Sequence, residues 1–430
     1  MPEAAHRLEV RRRTILTALS LFLTTASFTL ARTGRDALYF RADGIFDLPF
    51  AYMGMAVLSL PMAAVTLGLM KRLGVRRARL VLPLLFGSIL LGFAPAAHPG
   101  GGPTMTAFFL LVPLAYGVLF SLVWLLGADL LVDADGASRA TAYGRLGAAS
   151  LGGNLAGAAT SRLLAAHAEA NALIALAGLL LFLAVAVLRS AHDRCPPRRP
   201  APAARPVQPE TLAELSRQPY FRRLLAAGIF AAFTGILVEF QFYLAAASAG
   251  HTASESIAFF ADLYLAVSAL ALVVQLGLLA RLQRRIGLGR SLLVLPATLA
   301  LLTPAAILSA SLVLRSVLRL AEGGLKSSIH RVSWEQAYLG LAPRQRGAAR
   351  LLVDGAASRM AEGAVAVVLY IALRGAADGT RVTAQDVWWL TYLLLAAAVG
   401  WVLVTRPLMR WQAAGEWLPE DSPEFRMPDS

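Results

Sequence analysis

Apolar stretches of about 20 residues recur along this 430-residue chain, and a bilayer core about 30 Å thick is crossed by about 20 apolar residues of helix. Irregular backbone facing lipid would leave N–H and C=O groups without partners, so each stretch is expected to be helical. The pattern predicts helices near 14–40, 48–71, 78–97, 104–132, 138–165 and 169–190, then near 220–247, 254–284, 289–305, 307–340, 345–375 and 384–411. Residues 291–314 form one apolar run interrupted only by Pro296 and Pro304; read as a single helix, it reduces the count from twelve to eleven and moves the C-terminus across the membrane. Hydrophobic residues make up 57% of the chain, above the roughly 45–50% of soluble domains. The fold class expected is therefore an all-α integral membrane protein of twelve transmembrane helices.

Lys and Arg number 40 against 26 Asp and Glu. In a soluble protein that excess would raise the question of nucleic acid, but here the basic residues sit beside the apolar runs. Arg11, Arg12 and Arg13 precede the first; Lys71, Arg72, Arg76, Arg77 and Arg79 follow the second; Arg194, Arg198, Arg199 and Arg205 lie midway; Arg281, Arg284, Arg285 and Arg290 follow the eighth, and Arg344 and Arg346 the tenth. By the positive-inside rule these positions place both termini in the cytoplasm of a protein integral to the cell (inner) membrane. The bilayer is thus the expected partner, and nucleic acid is not. A signal peptide over 14–31 is not expected, because Arg32 and Arg35 follow the run where a small-residue cleavage site would be needed. Cys195 is the only cysteine, which excludes an intrachain disulfide and a thiolate metal cluster.

Residues 191–219, with Pro196, Pro197, Pro200, Pro202, Pro206 and Pro209 interleaved with arginines, cannot bury a core, so they read as a cytoplasmic linker. This divides the chain into a six-helix bundle over 1–190, the linker, a second bundle over 220–411 and a tail over 412–430. The halves carry short matching segments. Lys71-Arg72-Leu73-Gly74 before Val81-Leu82-Pro83 pairs with Arg284-Arg285-Ile286-Gly287 before Val294-Leu295-Pro296, and Gly147-Ala148-Ala149-Ser150 pairs with Gly355-Ala356-Ala357-Ser358. Pseudo-symmetric parallel repeats of this kind build six-plus-six transporters.

The tenth predicted helix carries Arg315, Arg319, Glu322 and Lys326, which at 100° per residue fall within about 60° of one another. His330 continues the edge. If the helix starts near 307, Arg319 and Glu322 lie about 18–23 Å along it, near mid-membrane. Charge there is costly against lipid, so the stripe either pairs internally with its arginines snorkelling outward or forms an anion-binding face with guanidinium forks. Arg32, Arg35, Asp36 and Tyr39 share a face at the end of the first helix and suit either an interface or a binding position. Glu239 beside Gln241, and Asp262, are each either partners of a buried arginine or proton carriers. Nearer the cytoplasm, Asp129, Asp133, Arg139 and Arg145 in the first half face Glu335, Arg350 and Asp354 in the second. They suit a salt-bridge gate or static charge balance. Ala149, Gly153 and Gly157 are spaced for close helix contact, with Asn154 beside them. The chain has no H-E-x-x-H, nucleophile elbow, phosphate loop, dinucleotide fingerprint or metal-ligand cluster, so no enzyme activity, cofactor or metal is expected.

Arg32-Thr33-Gly34-Arg35-Asp36-Ala37-Leu38, the Ala140–Gly153 stretch and the segment from Ser328-Ile329-His330-Arg331 to Arg359 resemble the bacterial relatives of ATP/ADP translocases, nucleotide transporters within the major facilitator superfamily. The resemblance spans residues 14–411. It implies basic residues in helices one and ten and acidic ones in helices four and eight as the exchange machinery, which here fall on Arg32 or Arg35, Lys326, Asp129 and Asp262. Helix one differs in offering arginine where those exchangers carry lysine, and Lys71 stands where the facilitator loop has an aspartate. The resulting expectation is an alternating-access secondary transporter for a small organic anion, ATP/ADP or another phosphate ester. Arg319 and Lys326, with Arg35, would bind the anion, and Glu322 would hold the cations in register. The alternatives are a proton-coupled facilitator for a different, neutral or cationic solute using Glu239, Asp262 or Glu322, and a non-transporting membrane sensor or scaffold.

Overall fold

The computed structural model describes residues 2–40, 44–97, 103–130, 136–194, 214–249, 252–309, 311–341, 343–376 and 387–414. Asp133, most of the linker and the tail, and the side chains of Asp129 and Arg139, lie outside what is described. The described residues form twelve long helical rods. In the first part of the chain they are α1 (Pro2–Tyr39), α2 (Gly44–Leu73), α3 (Val75–Phe93), α4 (Pro103–Leu130), α5 (Gly136–Leu164) and α6 (Ala170–Arg194). After the linker come α7 (Pro219–Ser248) and α8, which runs as Ala253–Val273, a π turn Val274–Leu278 and Leu279–Ser291. Next are α9 (Val294–Leu308) and α10, which runs as Leu312–Leu325, a π turn Lys326–His330 and Arg331–Ala337. The last are α11, running as Pro343–Arg350, a π turn Leu351–Ala357 and Ser358–Ala376, and α12 (Trp389–Ala414).

Ten of the rods are long and apolar enough to cross a membrane. The two that fall short on composition are α5, rich in small residues and arginine, and α10, which carries the charge stripe.

The packing resolves two compact units, Met1–Ala203 with Ala246–Leu272 and Ala204–Ala245 with Val273–Ser430. The segment Ala246–Leu272, placed in the second bundle by sequence, packs within the first unit, and the division of α8 falls next to its π turn.

In the first unit α1 is the central rod, packed on α4, α5 and α6. It buries a series of hydroxyl side chains, and Ser20, Thr24, Thr25, Thr29 and Thr33 each donate to the carbonyl four residues back. That bond satisfies a polar group which would otherwise be stranded in an apolar interior. The α5 glycines let the backbones approach. A Cβ on Gly153 would sit 2.0 Å from Thr25 Oγ1 and 2.3 Å from the Phe22 carbonyl oxygen, and one on Gly157 would sit 2.6 Å from the Ala26 carbonyl oxygen. Between them Asn154 Oδ1 accepts from Thr29 Oγ1 at 3.0 Å. Leu21, Val123, Leu126, Leu146 and Leu188 close the core on one side of this contact.

In the second unit α9 packs on α10 and α12. The apolar run over 291–314 is broken, but not at its prolines. Pro304 lies inside α9, and the chain turns at Ser309, which is extended at φ −149°, and at Ser311, whose hydroxyl caps α10 by accepting from the Val313 N–H at 3.2 Å. α10 therefore begins at Leu312 rather than near 307. Serine provides the break because its side chain replaces the missing helical partner of the first N–H groups.

Gly153→Ala is expected to lower the melting temperature of detergent-purified protein by several degrees, since backbone atoms cannot yield to the added methyl, an overpacking cost of about 1–3 kcal/mol. Gly152→Ala, whose Cβ would meet only Phe22 ring atoms at 3.7 Å, should melt with the wild type.

Candidate functional site

The charge stripe of α10 recruits one further acid. Arg319 spans two carboxylates, with Nη2 2.9 Å from Glu239 Oε2 on α7 and Nη1 2.5 Å from Glu322 Oε2 on its own helix. The second oxygen of Glu322 accepts from Lys326 Nζ at 2.8 Å. The order along the chain of contacts is Glu239, Arg319, Glu322, Lys326, two acids and two bases. The cation-rich face that the sequence suggests is thus compensated by Glu239. Pairing of this kind is what allows charge to persist in a low-dielectric interior, and removing one partner of such a pair costs about 3–5 kcal/mol.

The four are not equally reachable. Glu322 is 3% exposed and Arg319 8%, whereas Glu239 is 21% and Lys326 48% exposed. The open end of the network is therefore Lys326. It stands against bare backbone: a Cβ on Gly235 of α7 would lie 2.9 Å from Lys326 Nζ and 3.3 Å from Glu322 Oε1. Glycine at 235 provides the notch in which the ion pair sits. With α10 starting at Leu312, Arg319, Glu322 and Lys326 lie about 10, 15 and 21 Å along a rod of about 39 Å, so Lys326 rather than Arg319 is nearest its middle.

Lys326 also opens a π turn, an insertion that recurs at functional positions of helices. In that turn Ser327 and Ser328 bond back to the Gly323 and Gly324 carbonyls. His330 at its end is buried, stacked on Trp334 with centroids 5.4 Å apart and edge-on to Trp401 at 5.3 Å.

Arg315, four residues before Arg319, has a different setting. Its guanidinium donates to Gln241 Oε1, to Thr391 Oγ1 at 3.0 Å and to the Ala306 carbonyl at 3.4 Å. Thr391 in turn donates to Gln241 Oε1 at 3.1 Å, and Gln241 Nε2 donates to the Leu390 carbonyl at 3.3 Å. Ala306 lies in the last turn of α9, where carbonyls lack helical partners and the helix dipole is negative, so a cation is stabilised there. Arg315 fastens α7, α9, α10 and α12 together and is 3% exposed.

In the first unit, Asp36 is fully buried and meets three side chains. Arg35 Nε donates at 2.7 Å, Tyr264 donates its hydroxyl, and Arg32 Nε lies 3.6 Å away. Arg35 further donates to the Phe109 carbonyl at 3.2 Å and lies over the Phe109 ring, while Arg32 lies over the Tyr264 ring at 4.5 Å. Arg35 is buried and Arg32 remains partly open. Asp262 pairs with Arg162 of α5 at 2.8 Å, both about half exposed.

Of the inner group, Glu335 bridges Arg331 at 2.9 Å and Arg350 at 2.7 Å, and Asp354 accepts from Trp334 Nε1 at 2.9 Å. Arg145 is exposed on α5. Sequence reasoning missed Gly235, Tyr264, Arg162 and Thr391. A glycine inside an apolar helix was a legible signal for the first; the others are ordinary residues whose roles depend on which helix lies opposite.

The described rods form an all-α fold, ten of them long and apolar enough to cross a membrane. Among solved structures it resembles the nucleoside transporter NupG (13% identity, TM-score 0.63, covering 93% of this chain and 98% of that one). It also resembles the POT family transporter PepTSo (13%, 0.60, 92% and 98%) and a bacterial homolog of the human lysosomal transporter Spinster (16%, 0.54, 92% and 98%). At these identities the likeness is one of fold. No protein-family model and no curated protein sequence matches the chain.

Arg315→Ala is expected to destabilise the protein by on the order of 2–3 kcal/mol, because it strips charged hydrogen bonds from a buried junction. Thermal unfolding in detergent should show the loss, with Arg315→Lys, which keeps the charge but not the fork, falling between.

Proposed function

We propose that this chain is a secondary transporter that carries a small organic anion by alternating access, with ATP/ADP or another phosphate ester as the solute. The observation that carries the proposal is the Lys326 ammonium, 48% exposed and 2.8 Å from a buried Glu322 that it shares with Arg319. A cation held by an internal carboxylate at the middle of a membrane helix is poised for exchange. Phosphate oxygens can replace Glu322 at Lys326 while Glu322 keeps its contact with Arg319, so neither the ammonium nor the buried acid is left without a partner. Arg32, the more open of the two α1 arginines, is the helix-one counterpart. Asp129, Asp133, Arg139 and Arg145, with Glu335, Arg350 and Asp354, are the proposed cytoplasmic gate. The structural relatives are transporters of different kinds, so the fold supports transport as a class and the choice of solute rests on the charged residues and on the translocase resemblance.

Lys326→Ala and Arg319→Lys are expected to cut uptake of radiolabelled ATP into ADP-loaded proteoliposomes at least tenfold while eluting as folded protein on size exclusion. Uptake at the wild-type rate by both variants would remove the stripe from the mechanism; nucleotide binding without flux would make the protein a sensor.

A second mode of coupling is favoured by one observation, the partial exposure of Glu239 at the far end of the neutral network. Protonation there would leave Arg319 with Glu322 alone and couple flux to a proton gradient. It predicts uptake driven by an inward proton gradient that Glu239→Gln abolishes; equal uptake with and without the gradient rejects it.

A further inference from the structure

The α11 span Ala348–Arg374 is one of the ten apolar enough to cross a membrane, yet it carries an ion pair that neither the stripe nor the proposed gate uses. Arg359 Nη1 lies 2.6 Å from Glu362 Oε2, with Arg359 41% and Glu362 19% exposed. These residues are about 17 and 21 Å along that span of about 40 Å, near the middle, as Lys326 is in α10. Charge at such depth is costly against lipid and, where it occurs, lines a cavity or a solute path.

The helix geometry points the pair away from lipid. Met360, Val367 and Ile371 are the open apolar face of α11, and Arg359 lies about 80–120° around the helix from them, Glu362 about 160° from Met360. Ala366, fully buried, shares the azimuth of Arg359 to within about 20°.

We infer that Arg359 is a second anion-binding cation of the solute site, and that Glu362 is the internal counter-ion which Arg359 holds until a solute displaces it. The inference rests on the transport function proposed above and narrows its solute class. Arg319, Lys326 and Arg359 are matched by Glu239, Glu322 and Glu362. A solute with one phosphate group can replace only one of these carboxylates, whereas a di- or triphosphate offers separate groups to Lys326 and Arg359. The expected solute is therefore a polyanion.

Initial rates of radiolabelled ATP and AMP uptake by full-length protein in proteoliposomes test this. Arg359→Gln should raise the half-saturating ATP concentration at least tenfold with the maximal rate within about twofold, and should narrow the preference for ATP over AMP. Arg359→Lys should restore most of the affinity. Glu362→Gln, which takes the carboxylate from Arg359, should lower the half-saturating concentration several-fold, and it gives the same answer if Arg359→Gln does not fold. Wild-type half-saturation in Arg359→Gln or Glu362→Gln, alongside lost uptake in Lys326→Ala, overturns the role of the pair and leaves the transport function standing. Absence of ATP uptake by the wild-type protein overturns both.

Discussion

A charge inside an apolar helical unit must be matched where it stands, and the two units meet that requirement in the same way. Each buries a carboxylate between a deep cation and a shallow one. Asp36 holds Arg35, which is buried, and Arg32, which is partly open; Glu322 holds Arg319, which is buried, and Lys326, which is half exposed. The deep partner offsets the desolvation of the acid permanently, and the shallow partner is left replaceable. The two arrangements are on α1 and α10, which are not equivalent positions in a six-plus-six repeat. Their similarity thus follows from electrostatics rather than from duplication.

The segments that do match between the halves differ in local geometry. Gly147-Ala148-Ala149-Ser150 lies in a regular part of α5, whose later glycines press on the α1 backbone. Gly355-Ala356-Ala357-Ser358 falls at the end of the π turn Leu351–Ala357 in α11. The π turn shifts the phase of the helix by about one residue relative to a continuous α-helix, so it changes which side chains share a face after it. Arg359 and Glu362 follow immediately, and the face they occupy is set by that insertion.

The rods were legible because water is absent from a bilayer core: a helix is the cheapest way to satisfy backbone there, and apolar length alone reveals it. Most predicted limits fall close to the observed ones. The α9–α10 junction was the exception, because proline is a strong local signal and serine a weak one, yet Pro304 is accommodated within α9 while Ser309 and Ser311 end one helix and cap the next. Contacts within a helix could be read from spacing, as in the Glu322 to Lys326 pair and the glycine contacts of α5. Contacts across helices could not. Arg315 and Arg319 are four residues apart on one face, yet the first meets Gln241, Thr391 and a helix end while the second meets Glu239. Nothing in their local sequence separates a structural arginine from an ion-pairing one. The distinction lies in which residues of α7 and α12 stand opposite.

For a carrier of the proposed kind, internal compensation also sets the scale of affinity. A solute that replaces Glu322 or Glu362 exchanges one ion pair for another, so the Coulombic gain at each contact is a difference between similar terms rather than the full attraction of a bare cation. Were Lys326 and Arg359 uncompensated, the empty site would bear buried positive charge and would bind a polyanion too tightly to release it on the far side. Matching every cation with a carboxylate lowers the cost of the empty state and of the occupied state together, which keeps the two close in free energy. That near-balance is what repeated loading and unloading requires, and it depends on Gly235: a side chain there would press the Lys326 ammonium away from Glu322 and leave the buried acid with Arg319 alone.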